Sequence, residues 1–257
     1  IWKNAQDGYR VEWVEPEKIK SIEPRITSSA LGALYIEGQA DLEPYRLVTS
    51  LAQATQQNGT VSIRDRVTGL KFHNNNPTQV LTKNGTIAAK YVVLAMGPWT
   101  NHASPWIGWD IPISPLKGQI LRLRSPGAPL KCAISWNGFY AVTKPDGLVW
   151  TGTTEENVGF DKSPTQEART YLINSLKNLM PSMEGSEVVR QTACLRPITP
   201  DRQPLLGKIP GFDHMYVATG GDRSGILMGP AMGRVISDLI TRGSSDIDIS
   251  GLNVDRF

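Results

Sequence analysis

The sequence predicts a mixed fold, in which an α/β part and an α+β part share one chain of 257 residues. Three observations support this prediction. Tyr91 to Ala95 is an apolar run without alternation, which is typical of a strand buried on both faces of a parallel sheet. Residues 111–154 instead alternate between apolar and polar positions, which indicates antiparallel strands. A helical pattern over 163–180 follows them and is expected to cover one face of that sheet.

The first clear helical pattern along the chain is "DLEPYRLVTSLAQATQQNG". Asp41 is the expected N-cap, and Glu43 and Pro44 suit the first turn of a helix. The pair Asn58-Gly59 ends the pattern. Apolar side chains share one face of this helix, namely Leu47, Val48, Leu51 and Ala54.

Short strands follow this helix. They are predicted for "TVSI", "VTGLKF" and "TQVLT", and Asn84-Gly85 indicates a hairpin into the run that contains Tyr91 to Ala95. That run ends at Gly97-Pro98, where a parallel sheet would border a ligand crevice.

The middle of the chain is predicted to form an antiparallel sheet and one helix. Strands are predicted for "GQILRLR", for both halves of "FYAVTKPDGLVWTGT" around a hairpin loop at Lys144 to Gly147, and for "EVVRQT". The helix should start with a capping box from Ser163 to Gln166, with Pro164 at its first position. Its expected apolar face consists of Ala168, Tyr171, Leu172, Leu176 and Leu179.

A glycine-rich loop precedes the last predicted helix, which should run from about Pro230 to Thr241. Gly225, Gly229 and Gly233 recur every four residues, so a helix face without side chains is expected. Two interpretations remain open, because such a face either packs closely on a strand or lies against a flat ligand.

Composition and motifs exclude several classes of function. The chain is 40% hydrophobic and 20% charged, with a formal net charge of +3, and its basic residues are scattered rather than clustered as in nucleic-acid binders. The histidines show no metal-ligand spacing, and no hydrolase or Walker motif is present. No apolar run approaches the roughly 20 residues of a membrane span. Cys132 and Cys194 form no CxxC pair, so we expect a reducing compartment and a cytoplasmic location.

Five segments of the chain occur in a characteristic order, namely "YVVLAMGPWT", "SPLKGQILRL", "FYAVTKPDGLVWTGTTEE", "CLRPITPDRQPLLG" and "MYVATGGDRSGILMGPAMGRVISDLI". Together they resemble the FAD-dependent amino-acid and amine oxidoreductases related to glycine oxidase, sarcosine oxidase and D-amino-acid dehydrogenase. The resemblance extends from about Val11 to about Ile240.

The resemblance implies FAD as cofactor and a Rossmann-like FAD-binding domain beside a substrate domain. The family's opening G-x-G-x-x-G is absent from the sequence, which begins with Ile1, so we expect a fragment of a longer protein. We assign residues 1–110 and 195–257 to the remnant of the FAD-binding domain and residues 111–194 to the substrate-binding domain. A homo-oligomer, or a partner chain that supplies the nucleotide-binding half, is a further expectation.

The resemblance also implies roles for individual residues. Arg196 would clamp a substrate carboxylate, because the proline after it restricts its backbone, and the alternative is a surface ion pair with Asp201 or Glu187. Tyr140 would line the substrate pocket, or else belong to the core. Arg223 would add positive charge near flavin or substrate, or else face solvent. The expected cofactor-binding residues are Val67, Ala95, Gly97, Trp99, Gly221, Arg223, Ser224, Gly225, Ile226 and Leu227.

The reaction that the resemblance implies is oxidation of the C–N bond of a small amino acid or secondary amine by hydride transfer to flavin. Glu155, where glycine oxidase has an apolar residue, leaves the substrate open. Cys194 is expected to be a free buried thiol rather than a flavin link. The alternatives are a non-catalytic fragment that binds small carboxylates, and a subunit that completes a flavin site with another chain. The chain alone is expected to be inactive, and Tyr140, Arg196 and the glycine loop to converge on one cavity.

Overall fold

A computed structural model describes residues 10–257, so Ile1 lies outside the described residues. Within that range the chain forms thirteen β-strands and five α-helices. In chain order the elements are β1 (Val11–Val14), α1 (Pro16–Ile22), β2 (Ala33–Ile36), α2 (Pro44–Gln57), β3 (Val67–His73), β4 (Asn76–Thr82), β5 (Gly85–Ala88), β6 (Val92–Leu94), α3 (Ser104–Ile107), β7 (Ser114–Arg124), β8 (Ile134–Trp136), β9 (Phe139–Thr143), β10 (Val149–Gly152), α4 (Gln166–Leu179), β11 (Glu187–Ile198), β12 (Leu205–Lys208), β13 (Met215–Thr219) and α5 (Gly225–Arg242).

The chain divides into two compact units. Among the described residues, the first unit contains 10–54, Gly118–Glu155 and Lys162–Cys194, and the second contains Thr55–Lys117, Glu156–Asp161 and Leu195–Phe257. Residues 10–54 therefore group with the middle of the chain, although the sequence led us to place them with residues 195–257. The two functional domains assigned from the sequence stay a prediction.

The first unit is built on a five-stranded sheet with the order β11-β7-β10-β9-β8. β10 is antiparallel to β7 and to β9, and β8 is antiparallel to β9. Helix α4 packs on one face, and the core between them contains Leu121, Leu123, Phe139, Val149, Leu172, Leu176 and Leu179. The predicted antiparallel sheet backed by a helix is confirmed, as is the hairpin loop at Lys144 to Gly147, where the Gly147 N–H donates to the Lys144 carbonyl at 2.8 Å.

Helix α4 begins later than the sequence suggested. Its N-cap is Thr165, whose hydroxyl accepts a hydrogen bond from the Ala168 N–H at 3.3 Å. The predicted cap at Ser163 is wrong, because a side chain can cap only two or three residues ahead and the first turn starts at Gln166. The predicted apolar face is confirmed except at Tyr171, which is 54% exposed.

Helix α2 begins at Pro44, later than the predicted cap at Asp41 implies, and it has a different cap. The Glu43 carboxylate accepts hydrogen bonds from the N–H groups of Tyr45 and Arg46, at 3.3 and 2.8 Å. Asp41, the predicted cap, instead accepts a hydrogen bond from the buried Lys144 amine at 3.1 Å. No residue of α2 is buried, and Val48 on its apolar face is 56% exposed.

The second unit contains two three-stranded sheets, with the orders β12-β13-β6 and β3-β4-β5. β13 runs parallel to β6, with Met215 opposite Val92 and Val217 opposite Leu94, so the predicted pairing of these two strands is confirmed. The predicted burial of β6 on both faces is wrong, since Val93 is 38% exposed. Helix α5 packs on Leu206 and Tyr216 of the neighbouring strands and leaves Val93 exposed.

Turns account for most of the remaining differences in the second unit. Val61 to Ile63 is not a strand. Asn74 and Asn75 both have positive φ, 48° and 60°, and form the two-residue loop between β3 and β4, which the sequence analysis missed. The hairpin predicted from Asn84-Gly85 is confirmed, with Thr82 opposite Gly85.

Helix α5 begins at Gly225, five residues before the predicted start at Pro230. A proline in a helix interior removes one backbone hydrogen bond. Burial of Val235 and Ile236 against the sheet anchors α5, and the helix continues through Pro230. Across residues 10–257, no helix is long and apolar enough to cross a membrane.

Candidate cofactor and substrate site

The loop between β13 and α5 is tightly folded and needs its glycines. Gly220 has φ of +76°, a conformation that residues with a Cβ rarely adopt. A Cβ on Gly221 would lie 2.7 Å from the Cα of Gly225, which is closer than real Cβ contacts allow. The loop therefore brings the backbone of Gly221 directly against the first turn of α5.

The first turn of α5 presents backbone rather than side chains. No side chain caps its N-terminus, where the helix dipole favours negative charge. A Cβ built on Gly225, Gly229 or Gly233 meets no atom within 4 Å, and Leu227 is 82% exposed. Of the two interpretations of the glycine repeat, the open face supports a ligand more than close packing on a strand.

Two predicted cofactor loops lie together at the carboxyl ends of β6 and β13. The Gly97 carbonyl accepts hydrogen bonds from the hydroxyls of Thr219 and Thr100, at 3.1 and 2.7 Å. The Thr100 hydroxyl also lies 3.3 Å from that of Thr219. The loop that holds Ala95, Gly97 and Trp99 is thereby fastened to the loop that leads to Gly221–Leu227. Neither threonine was singled out in the sequence, because nothing local marks a contact across more than 100 residues.

Trp99 on this loop packs against an aromatic side chain from another segment of the second unit. It is exposed, and its ring stacks on Phe160 with the ring centres 6.1 Å apart. His102 lies 5.3 Å from the same Phe160 ring. Val67 is the first residue of β3, in the other three-stranded sheet, and its predicted contact with the cofactor stays a prediction.

Arg223 is exposed. Its neighbour Asp222 forms an ion pair with Arg202. Asp222 has a positive φ of 44°, and its Oδ2 accepts hydrogen bonds from the Nε and Nη2 of Arg202, at 2.9 and 2.8 Å. The other oxygen, Oδ1, is buried without a hydrogen-bond partner. The sequence analysis did not identify this pair, although "PDRQP" and "GGDRSG" each supply one member.

Arg196 is half-buried near the end of β11. Both acids that were considered as its surface partners are engaged by other arginines. Asp201 pairs with Arg256 at 2.8 Å, and Glu187 pairs with Arg124. The hydrogen bond from Arg256 holds the pKa of Asp201 far below its usual range, with smaller contributions from Gln203 and Thr199. The carboxylate clamp and the alternative of a surface ion pair both stay predictions.

Tyr140 lies in β9 of the first unit. Its neighbours Phe139 and Ala141 are in the core under α4, so the alternation of the strand directs Tyr140 to the opposite face of the sheet. The alternative that Tyr140 belongs to this core is therefore not supported. Convergence of Tyr140, Arg196 and the glycine loop on one cavity stays a prediction.

The remaining candidate residues give little further support for a binding site. Cys194 is a free thiol, but it is exposed rather than buried as predicted, because it lies on a strand position that α4 does not cover. Glu155 is exposed. Among residues 10–257 no cluster of His, Cys, Asp and Glu could hold a metal ion.

The residues present fit one part of FAD. The open glycine face and the uncapped start of α5 suit the electron-rich edge of a flavin ring, and the unpaired Asp222 oxygen can accept a hydrogen bond. The pyrophosphate is held in dinucleotide-binding folds by G-x-G-x-x-G, and the sequence contains no such triplet.

Comparisons with known proteins agree with this geometry. Glycine oxidase from Pseudomonas putida is 34% identical over 218 residues, which cover 84% of this chain and 60% of that protein. Hydrogen cyanide synthase subunit HcnC from Pseudomonas protegens is 28% identical, over 96% of this chain and 60% of the subunit. The crystal structure of glycine oxidase from Geobacillus kaustophilus has a TM-score of 0.91 at 28% identity and covers 97% of this chain and 68% of that one.

The chain thus spans about 60% of the length of the first two of these relatives. A family described as FAD dependent oxidoreductase, abbreviated DAO, matches residues 1–239. A match over so much of the chain, together with the shared fold, shows that the chain belongs to the DAO family of FAD-dependent oxidoreductases.

Proposed function

We propose that this chain forms the substrate side and the flavin-edge side of an enzyme that oxidises the C–N bond of a small amino acid or secondary amine. The observation that carries the proposal is the joined pair of loops, in which Gly97 is fixed to Thr219 in front of the open start of α5. The name of the Pseudomonas putida relative, glycine oxidase, points to a small amino acid as substrate. Whether oxygen or another carrier takes the electrons is left open.

When bound, FAD would supply a hydride acceptor. Arg196 would anchor the substrate carboxylate, because its planar fork forms two charge-assisted hydrogen bonds and Pro197 restricts its backbone. The N–H groups at the start of α5 would stabilise negative charge that develops next to them. Tyr140 would line the substrate pocket and Arg223 would add positive charge. The protein's part in this reaction is positioning and electrostatics.

A substitution of Arg196 tests the anchor directly. Arg196→Ala should weaken binding of glycine or sarcosine by about 2–5 kcal/mol, since a charge-assisted pair is lost. Arg196→Lys should recover part of that loss, because lysine restores the positive charge but not the two parallel N–H donors of the guanidinium. The measurement is a substrate titration on the longest natural form of the protein, followed by flavin reduction without oxygen. Arg64→Ala is the control, since Arg64 is an exposed loop residue. Equal affinities for the Arg196 and Arg64 variants would disprove the anchor.

A second candidate function is that of a subunit which completes a flavin site with another chain. The exposed Leu227 and Ile226 at the start of α5 favour it, because apolar side chains at a ligand edge are usually covered. The name of the Pseudomonas protegens relative also describes a subunit. Purification from the natural source separates the two candidates. A co-purifying chain with G-x-G-x-x-G supports the subunit, and one polypeptide with both parts supports the enzyme.

A non-catalytic fragment that binds small carboxylates would retain Arg196-dependent binding but reduce no flavin. The cytoplasmic location stays a prediction.

A further inference from the structure

A cavity of about 420 Å³ in the first unit has no role in the function proposed above. It lies where the start of α2, the β9–β10 hairpin and strands β7, β10 and β11 come together. Arginine dominates its lining, which includes Arg46, Arg122 and Arg190 beside Trp150 and the two acids Glu43 and Asp146. A volume of this size suits a small molecule.

The two acids of this cavity are already engaged. Both Glu43 oxygens accept hydrogen bonds from N–H groups at the start of α2. The Asp146 oxygens accept hydrogen bonds from the Leu148 N–H at 3.0 Å and from the Trp150 indole N–H at 3.1 Å. Each carboxylate therefore stabilises its own turn of the chain rather than an arginine.

The three arginines, in contrast, have no anionic partner among residues 10–257. Other arginines of the first unit do pair, as Arg25 does with Glu23 and Arg124 with Glu187. The lining carries three guanidinium groups and two carboxylates, so the cavity has a net positive charge, which favours an anion over a cation.

The guanidinium of Arg122 is pre-oriented for binding such an anion. Its guanidinium carbon lies 3.9 Å from the centre of the Trp150 ring, and Trp150 is buried. The stacking fixes the plane of the guanidinium, which reduces the entropy that a ligand would have to overcome. The Arg122 Nε is buried and has no hydrogen-bond partner. A buried donor without a partner is costly, and an oxygen of a bound anion would satisfy it.

We propose that this cavity is a binding site for a small divalent oxyanion, either a phosphate group or a dicarboxylate. The forks of Arg46, Arg122 and Arg190 would each donate hydrogen bonds to its oxygens, as guanidinium groups do to carboxylates and phosphates. The site differs from the substrate anchor, since Arg196 does not line it. Binding would link the start of α2 to the sheet and so stabilise the first unit.

Calorimetric titration of the 257-residue chain at constant ionic strength tests this site. The probes are inorganic phosphate, malonate and, as a monovalent comparison, acetate. Phosphate or malonate should bind with saturation, and acetate should bind roughly tenfold more weakly because it loses one charged contact. The tighter of the two dianions identifies the ligand chemistry. The indole N–H resonance of Trp150, assigned with Trp150→Phe, should shift on binding and so locate the ligand.

Matched variants show whether the arginines of this cavity bind the anion. Arg122→Gln and Arg190→Gln should each weaken the dianion roughly tenfold. Arg124→Gln removes the same charge from strand β7 outside the cavity and should leave the affinity unchanged. Arg190 is exposed, so its variant remains informative if Arg122→Gln does not fold. Absence of saturable binding of both dianions, or equal losses in Arg124→Gln and Arg190→Gln, would overturn the proposal.

Discussion

Two glycines of the cofactor loop have opposite requirements for space. A Cβ on Gly221 would meet the Cα of Gly225 at 2.7 Å and its nitrogen at 3.3 Å, and both atoms belong to rigid backbone. A Cβ on Gly225 would meet nothing within 4 Å. Gly221 is therefore needed by the fold itself, whereas Gly225 is needed only if something else approaches the helix.

Alanine substitutions separate these two roles. Gly221→Ala should lower the free energy of unfolding by about 1–3 kcal/mol, because the start of α5 must shift. Gly225→Ala should leave stability unchanged or raise it by up to ~1 kcal/mol, since alanine favours helix. Denaturant unfolding of both variants measures the difference. In the natural full-length protein, Gly225→Ala should nevertheless weaken flavin binding, and unchanged flavin affinity would argue against the proposed use of this face.

Glu23 is a buried carboxylate that stabilises the first unit. It accepts hydrogen bonds from the Lys131 N–H at 2.9 Å and from the Arg25 Nε at 3.0 Å. Burial alone would raise the pKa of Glu23, but these hydrogen bonds outweigh it and hold the pKa below the ordinary value of 4.5. A carboxylate with a lowered pKa in the folded state stabilises the fold only while it is ionised.

The stabilisation from Glu23 should accordingly depend on pH. It is present above about pH 4.5 and is lost as the pH falls from there through the lowered pKa of the folded state. Glu23→Gln should cost about 1–3 kcal/mol near neutral pH, because Arg25 loses its charged partner. Unfolding of wild type and variant should be measured from pH 7 to the lowest pH at which both stay folded. A difference in stability that does not shrink toward low pH would contradict this role.

Residue patterns indicated a possible ligand edge at this loop but not the contacts that hold it. Glycines at a strand end are local signals and pointed to Gly97 and to the glycine loop, whereas the family resemblance supplied the assignment of Gly221 to Leu227 to the cofactor. Thr219, Thr100 and the pair of Arg202 with Asp222 were missed, since each partner is ordinary in its own segment. The parallel pairing of β6 with β13 brings Thr100 close to Thr219, and the antiparallel pairing of β12 with β13 brings Arg202 close to Asp222.

At the scale of elements, the cap of α4 provides a direct test of where that helix begins. Thr165→Ala should lower stability by about 1–2 kcal/mol, since its hydroxyl accepts from the Ala168 N–H and from the Gln119 amide. Ser163→Ala should change stability by no more than ~0.5 kcal/mol, because Ser163 lies before the cap. Thermal or denaturant unfolding of both variants distinguishes them. A larger loss for Ser163→Ala would place the cap where the sequence pattern first suggested.

The types of most elements were predictable, whereas several of their ends were not. Periodicity identified α2, α4 and the strands of the antiparallel sheet, because each buries or presents one face along its whole length. Ends depend on single hydrogen bonds, so two acceptable cap residues close together cannot be ranked locally. Asp41 and Glu43 before α2 are one such pair, and Ser163 and Thr165 before α4 are another. The segment at Val61 to Ile63 has strand-forming residues but no partner strand, and propensity alone does not form a sheet.

At the scale of the whole molecule, each unit exposes apolar surface that a folded domain normally covers. In the first unit this surface is the apolar face of α2, and in the second unit it is the start of α5 with Leu227. The sequence predicted α2 as amphipathic and α5 as glycine-faced, but it could not show that the apolar face of α2 and the start of α5 stay exposed among residues 10–257. The exposed start of α5 coincides with the face proposed for the flavin.

The 257-residue chain should therefore bind FAD weakly and be nearly colourless when purified. Its glycine loop can hold one edge of the flavin ring, but no G-x-G-x-x-G is present to hold the pyrophosphate on a helix start. FAD and FMN should consequently bind with affinities within about tenfold of each other, because the extra phosphate and adenosine add few contacts. Titration with each flavin, and flavin absorbance of the protein after gel filtration, measure this. One FAD retained per chain would refute the prediction. Flavin absorbance that stays with the protein after denaturation would identify a covalent bond between protein and flavin. The exposed Cys194 would then be the first residue to replace.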